Sequence, residues 1–407
     1  MSIEREVAPE QAGFDSRRLA RLDAHFARYV DDGRLAGWHI VIAREGRVVH
    51  STTYGQRDAE AGLPVEPDTL WRLYSMTKPV TSVAAMMLWE EGRFELTDPI
   101  SNWLPEFAEP RVYEKGSATQ PYTVPAREPI RVWHLLTHTS GLTYGFLQTS
   151  VVDALYRKAG HDLQPKDGID LAQASREWAG LPLLFEPGTA WGYGVSTDVL
   201  GRLVEVIAGV PLGDFLRTRI FEPLGMKDTG WSVAPGEERM AALYIPGPDG
   251  RRVRYDAFGR YAFQEPSLHS GGAGLIGSAA DYHRFTEMLL AGGTSGGERL
   301  LGRRTVGFMT RNHLPGGVDL DRLSTGGFAE TTLEGIGFGL GFAVVRDPVP
   351  ARVWSSPGTY YWGGAASTAF WVDPAERLTV ALYTQLLPSS TYPLRSQLRQ
   401  LVYSALS

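Results

Sequence analysis

The 407-residue chain contains no cysteine. That excludes a disulfide framework, a thiolate metal site and a cysteine nucleophile. An excess of one charge is lacking too: 40 basic and 46 acidic side chains leave a formal net charge of −6. So mild an imbalance favours neither nucleic acid nor an anionic membrane as a partner. No apolar run approaches the ~18 residues of a membrane-spanning helix. The start, Met1-Ser2-Ile3-Glu4-Arg5-Glu6, lacks a basic segment followed by an apolar one. A soluble, cytoplasmic protein is expected. Lysine is nearly missing as well, with Lys78, Lys115, Lys158, Lys166 and Lys227 the only five; the remaining positive charge is arginine. Arginine cannot serve as a base whereas lysine can, so a lysine in an apolar setting stands out here.

What remains is ordinary globular composition, 43% hydrophobic and 21% charged. The length is ample for a large core in one big domain or two smaller ones. The chain is organised around Leu73-Tyr74-Ser75-Met76-Thr77-Lys78-Pro79-Val80 and the Ala/Met/Leu-rich stretch that follows, which ends in Glu90-Glu91-Gly92. This reads as a buried helix with a C-terminal glycine, and Pro79 is tolerated if it lies in the first turn. A helix starting near Ser75 puts Ser75 and Lys78 on one face, one turn apart. A serine hydroxyl is a weak nucleophile until a base takes its proton, and a desolvated lysine is a competent base. The helix N-terminus adds stabilisation for nearby negative charge. A Ser-x-x-Lys spacing arises easily by chance, but this is the sole example in the chain.

Residues 15–32 form an amphipathic pattern with Leu19, Leu22, His25, Phe26 and Tyr29 on one face and Asp15 as N-cap. Two β-rich runs flank the turn Arg44-Glu45-Gly46-Arg47 and make a hairpin. The segment 111–129 is a proline-rich loop. Residues 130–221 are mainly helical, including helices at 170–179 and 196–208, the latter closed by Gly209. Residues 281–291 are a further helix, 337–345, 367–373 and 378–385 are strands, and 392–405 is a last helix. The order implies an α+β chain: an antiparallel sheet completed by both chain ends and flanked by helices, with a helical insertion between. The expected division is 1–105 with 270–407 as the sheet domain and 106–269 as the mainly helical one.

Two further stretches carry candidate chemistry. Tyr193, in Trp191-Gly192-Tyr193-Gly194-Val195, precedes the helix at 196. It either presents its phenol to a cleft as a general base or packs the loop against the helix. Trp362-Gly363-Gly364-Ala365 joins a turn to a strand. The glycines either let the backbone approach a ligand and offer an oxyanion N–H, or mark a bulge. Gly293-Thr294-Ser295-Gly296-Gly297 fits G-x-S-x-G, but it follows a helix where that motif needs a strand, so it is a surface loop. His134 and His138 lie four apart without the glutamate of a zinc motif and are structural helix histidines.

Taken together, Ser75-x-x-Lys78, Tyr193 and Trp362-Gly363-Gly364 resemble, in order and spacing, the serine β-lactamase and penicillin-binding-protein superfamily. Leu135-Leu136-Thr137-His138-Thr139-Ser140-Gly141-Leu142, Pro187-Gly188-Thr189, Asp198-Val199-Leu200-Gly201 and Pro223-Leu224-Gly225-Met226 narrow the likeness to the family VIII carboxylesterases, which have a class C β-lactamase fold. The resemblance covers residues 10–400. It implies a β-lactamase-like α/β fold with its active site in the cleft between a sheet domain and a helical domain. It also implies Ser75 as the acylated nucleophile, Lys78 and Tyr193 as the proton relay, and the backbone N–H groups of Ser75 and Ala365 as oxyanion hole. Trp362, Gly363, Gly364, Tyr144, Phe146 and Trp191 would line the substrate pocket, and no metal or cofactor is implied. The chain departs from the β-lactamases at Val195, where they carry asparagine, and at Trp362, where they carry the lysine of Lys-Thr-Gly. The lost cation is one that helps bind a β-lactam carboxylate. Short-chain or aromatic esters are therefore the expected substrates, with weak cephalosporin cleavage as a side activity of the shared acylation chemistry. The alternatives are an acyltransferase of the same family, a β-lactamase, a D-amino-acid peptidase and a catalytically silent binder. A monomer or small homo-oligomer is expected.

Overall fold

The computed structural model describes residues 3–163, 166, 168–326 and 333–407. Asp15 accepts hydrogen bonds from the backbone of Arg17 and Arg18, opening α1, Ser16–Asp31. Leu19, Leu22, Phe26 and Tyr29 are buried as the pattern predicts. His25 is only half-buried and meets Gln397 Oε1 at 2.7 Å. Its ring nitrogen needs a polar partner, which the helix edge provides and the core face does not.

Strands β1 (Gly37–Arg44) and β2 (Arg47–Asp58) pair antiparallel as the expected hairpin. Glu45 and Gly46 both take positive φ, 55° and 76°, the conformation that suits a two-residue turn to strand twist. The short β3 (Leu63–Pro64) follows. From the far end of the chain come β4 (Ile336–Phe338), β5 (Ala343–Val345), β6 (Tyr360–Gly363), β7 (Ala369–Asp373) and β8 (Leu378–Tyr383). Among the described residues they form one eight-stranded sheet in the order β4-β5-β6-β7-β8-β1-β2-β3, with every pairing antiparallel. The run expected as one strand over 337–345 is broken in two because Gly341 turns the chain at φ 99°.

Both faces of β1 are covered, so nearly all its residues are buried. Trp38, Ile40 and Ile42 face one apolar cluster shared with α1 and the C-terminal helix, Leu394–Ala405. Val41 and Ala43 face the other, shared with α2 (Thr77–Glu90) and the helix Ala279–Leu290. α2 is buried all round from Thr77 to Leu88 and packs against α3, Ser196–Ala208. An apolar surface on every side is the signature of a helix enclosed by other elements. The helix Ala279–Leu290 is α4 and the last helix, Leu394–Ala405, is α5.

The proline-rich segment at 111–129 is not a bare loop. Arg111–Gly116 and Pro121–Pro125 pair as a two-stranded ribbon, whose prolines sit at strand ends, where a missing N–H does no harm. The Gly293–Gly297 stretch is a tight surface hairpin after α4. No helix among the described residues is long and apolar enough to cross a membrane.

Candidate active site

The strand Leu70–Arg72 pairs with Ile276–Ser278 and carries the chain to Ser75. Tyr74 adopts φ 47°, a left-handed conformation that costs a bulky residue of order 1–3 kcal/mol. The surroundings hold it there. Leu73 N–H donates to Leu275 O at 2.9 Å, Thr77 Oγ1 donates to Tyr74 O at 2.7 Å, and Tyr282 OH donates to Met76 O at 2.9 Å. Ser75 therefore lies on a 3-10 turn, Tyr74–Met76, just ahead of α2 rather than on its first α-helical turn, and Pro79 falls in that first turn.

Ser75 Oγ has two polar neighbours. Tyr193 OH donates to it at 2.7 Å, and Lys78 Nζ at 3.3 Å. Lys78 is 2% exposed and also donates to Tyr144 OH at 3.0 Å and to Gly272 O at 2.8 Å. Its ammonium stands 4.5 Å from the centre of the Tyr193 ring. Tyr144, expected as a pocket wall, is thus a partner of the lysine. Its OH reaches Asp198 Oδ2 at 3.5 Å, and burial, together with that carboxylate, raises its pKa well above 10. Asp198 accepts from Ser270 Oγ and from Gly272 N–H. Burial raises its pKa, and the Lys78 charge opposes the rise. Gly272 has no side chain for good reason: a Cβ there would lie 2.5 Å from Asp198 Oδ2 and 3.0 Å from Tyr144 OH.

Tyr193 is placed by its glycines. A Cβ on Gly194 would lie 2.2 Å from Leu142 O, so the Ser140-to-Tyr144 strip docks directly on the Tyr193 loop, and Ser140 Oγ meets Ser196 Oγ at 2.8 Å. His138 packs behind the Tyr193 ring, 5.0 Å between centres. It lies past the end of its short helix, Val132–Leu136, at φ 55°, and is not a helix residue as expected. Burial, aided by Lys78, holds it neutral, far below its usual pKa. His134 does sit on that helix, where Nδ1 accepts from Arg131 N–H at 3.0 Å.

The Trp362-Gly363-Gly364 corner closes the site. A Cβ on Gly364 would meet Leu73 O at 2.3 Å, and one on Gly363 would meet the Arg395 guanidinium at 2.5 Å. The two glycines thus let this backbone press against the segment before Ser75 on one side and against Arg395 on the other. The Ala365 N–H has no hydrogen-bond partner among the described residues. The Ser75 N–H, in the first turn of its helix, has no intrahelical acceptor,. Trp362 is half-buried, 5.5 Å from Tyr193 and 5.4 Å from Phe338 between ring centres. Phe146 stacks on Tyr144 at 4.8 Å. Trp191, expected in the pocket, is 1% exposed and stacks behind Tyr193 in a cluster with Leu320, Ile336 and Phe338.

Sequence reasoning did not assign roles to Asp198, Gly272 and Arg395. Asp198 stands five residues after Tyr193 in Asp198-Val199-Leu200-Gly201, and Gly271-Gly272 is one of six adjacent glycine pairs in the chain, so neither stands out by itself. Arg395, on the last helix, left no signal. No cluster of histidine and acidic side chains suited to a metal ion occurs among the described residues.

A serine flanked by lysine and tyrosine at the start of a buried helix, beside an antiparallel sheet, defines a class: residues 22–404 match the Beta-lactamase family, and the chain belongs to it. Among its relatives, Esterase EstB of Burkholderia gladioli is 35% identical over 97% of this chain and 98% of its own. Protein Rv1367c of Mycobacterium tuberculosis is 36% identical over 88% of each. The solved structure of EstCE1, a hydrolase with promiscuous acyltransferase activity, superposes with a TM-score of 0.81 at 30% identity, covering 95% of this chain and 99% of that one.

Proposed function

We propose that the protein hydrolyses carboxylic esters through an acyl-enzyme on Ser75. The observation that carries this reading is the contact of Ser75 Oγ with both Tyr193 OH and Lys78 Nζ, combined with an aromatic residue, Trp362, where the β-lactamases carry a lysine. In the proposed reaction Oγ attacks the ester carbonyl while Lys78 and Tyr193 take and relay its proton. The backbone N–H groups of Ser75 and Ala365 receive the developing oxyanion. Collapse expels the alcohol, which takes the relayed proton. Water then attacks the acyl carbonyl by the same route and releases the acid and Ser75. Tyr144 and Asp198 position Lys78, and Trp362 with Phe146 favours neutral, short-chain or aromatic acyl groups. The likeness to Esterase EstB supports an ester as the small-molecule partner. The segments 1–105 with 270–407 and the segment 106–269 are proposed to act as two lobes about this site, in a monomer or small homo-oligomer of the cytoplasm.

Acyl transfer to an alcohol is the second reading, favoured by the activity of EstCE1. Hydrolysis of p-nitrophenyl acetate, butyrate and laurate, beside a chromogenic cephalosporin and with or without a competing alcohol, separates these. Fast turnover of the short esters that vanishes in Ser75→Ala, with little cephalosporin cleavage, is expected. A dominant transfer product would put the acyltransferase first, and turnover that survives Ser75→Ala would remove Ser75 from the mechanism.

A further inference from the structure

Beside Trp362 lies a cavity of about 320 Å³, walled by residues of β6, β7 and the last helix, α5. Ser75, Lys78 and Tyr193 are not among its walls. Gly363 and Ala369, opposed in register on β6 and β7, form its small-residue floor, with the Arg395 guanidinium of α5 packed against the glycine. Its walls are aromatic and basic, Tyr361, Trp362 and Trp371 with Arg352, Arg395 and Arg399, and hold no carboxylate among the described residues. Trp354, 57% exposed, stands at the wall contributed by the 351–354 segment.

Arg399 is the unusual member. It is 8% exposed, and its guanidinium lies 4.6 Å from the Tyr361 ring centre and 5.3 Å from that of Trp371. Among the described residues no hydrogen bond or ion pair is made by this group. Cation–π contact offsets part of the cost of burying the charge. It satisfies none of the five N–H donors, which are left to the cavity that Arg399 lines,. The neighbouring Arg395, by contrast, donates to Gly364 O at 2.8 Å and Thr368 O at 2.9 Å.

We infer that this cavity is a second binding site, for a monocarboxylate with an apolar or aromatic body. The carboxylate accepts from Arg399 in the bidentate geometry that guanidinium favours, and the body lies against Tyr361, Trp362 and Trp371. The site is independent of the proposed ester hydrolysis, and Trp362, Gly363 and Trp191, expected from the sequence in the substrate pocket, are among its walls.

Titration calorimetry of the full chain with 2-naphthoate tests it, using Ser75→Ala and enzyme whose Ser75 is blocked by a phosphonate. Saturable one-to-one binding to both forms is expected, with none for neutral 2-naphthamide. Arg399→Met should weaken it by roughly tenfold or more, the loss of a charge-assisted hydrogen bond. Ser396→Trp, a substitution on the exposed wall of α5 that fills the cavity while keeping Arg399 itself, should abolish it. Binding lost on blocking Ser75 would place the acid in the acyl pocket instead. Binding unchanged in folded Arg399→Met or Ser396→Trp would equally overturn the site.

Discussion

Ser75 Oγ sits between two groups of different character, a phenol at 2.7 Å and an ammonium at 3.3 Å. The ammonium has no carboxylate in direct contact among the described residues; Tyr144 OH and the Gly272 carbonyl take its remaining donors. Replacing Tyr193 by phenylalanine should lower kcat for p-nitrophenyl butyrate by ~10²–10⁴-fold, the usual size of a lost general base. A folded Tyr193→Phe enzyme of near wild-type rate would refute the relay. Tyr144→Phe leaves the ring and removes only the hydroxyl that meets Lys78. If Tyr144 positions the lysine, kcat should fall by about 10- to 100-fold, matching a hydrogen bond to a charged group, with KM nearly unchanged. A change confined to KM would return Tyr144 to the role of a pocket wall.

At the scale of elements, α2 and the Trp362-Gly363-Gly364 corner carry the site. α2 is buried on every side from Thr77 to Leu88 and packs against α3, so a cavity cut into it has no solvent-side slack. Met86 is fully buried, and Met86→Ala should cost ~2–5 kcal/mol in chemical denaturation; a loss below ~1 kcal/mol would mean that the core collapses around the gap. At the corner, Gly364→Ala forces a Cβ to within 2.3 Å of the Leu73 carbonyl, so the corner must move away from Ser75. The expected result is a fall in kcat of ~10²–10³-fold, as for loss of one oxyanion donor. Wild-type kcat in Gly364→Ala would show that Ala365 contributes no such donor. The hairpin of β1 and β2, α1 with its Asp15 cap and α3 with its Gly209 terminus were legible because each signal is local. The ribbon at 111–125 was not. Its pairing is irregular and its outer positions are exposed, so it has no clear apolar alternation to read.

The whole molecule buries several histidines in neutral form. Burial pushes His39 from 6.5 down to about 3, and His134 and His283 down to about 4. Between 6.5 and those values the unfolded chain binds protons that the folded chain refuses. Stability is therefore fully present above pH 6.5 and is lost as pH falls below it, by up to ~1.4 kcal/mol per pH unit for each such group. His39 is 0% exposed and meets Ser51 Oγ at 2.9 Å, a contact that glutamine can keep. The stability advantage of wild type over His39→Gln should shrink by on the order of 1 kcal/mol between pH 6.5 and 5.5. An advantage independent of pH over that range would mean that His39 titrates normally.

The sequence by itself determined the class of the protein, the sheet formed by both chain ends and the trio Ser75, Lys78 and Tyr193. The sheet rests on apolar periodicity with cap and turn residues, and the pair Ser75 and Lys78 on one-turn spacing, whereas the class and the place of Tyr193 rest on the resemblance of several short motifs to a known family. Only the tertiary structure decided that Ser75 stands ahead of the helix on a strained turn, that Tyr144 meets the lysine and Asp198 meets Tyr144, and that His138 backs Tyr193. The cavity beside Trp362 belongs to the same group. These features join residues far apart in sequence, such as Lys78 to Gly272 and Gly363 to Arg395. Hydrogen bonds and close contacts between distant segments leave no periodicity in either one, so only the folded chain discloses them.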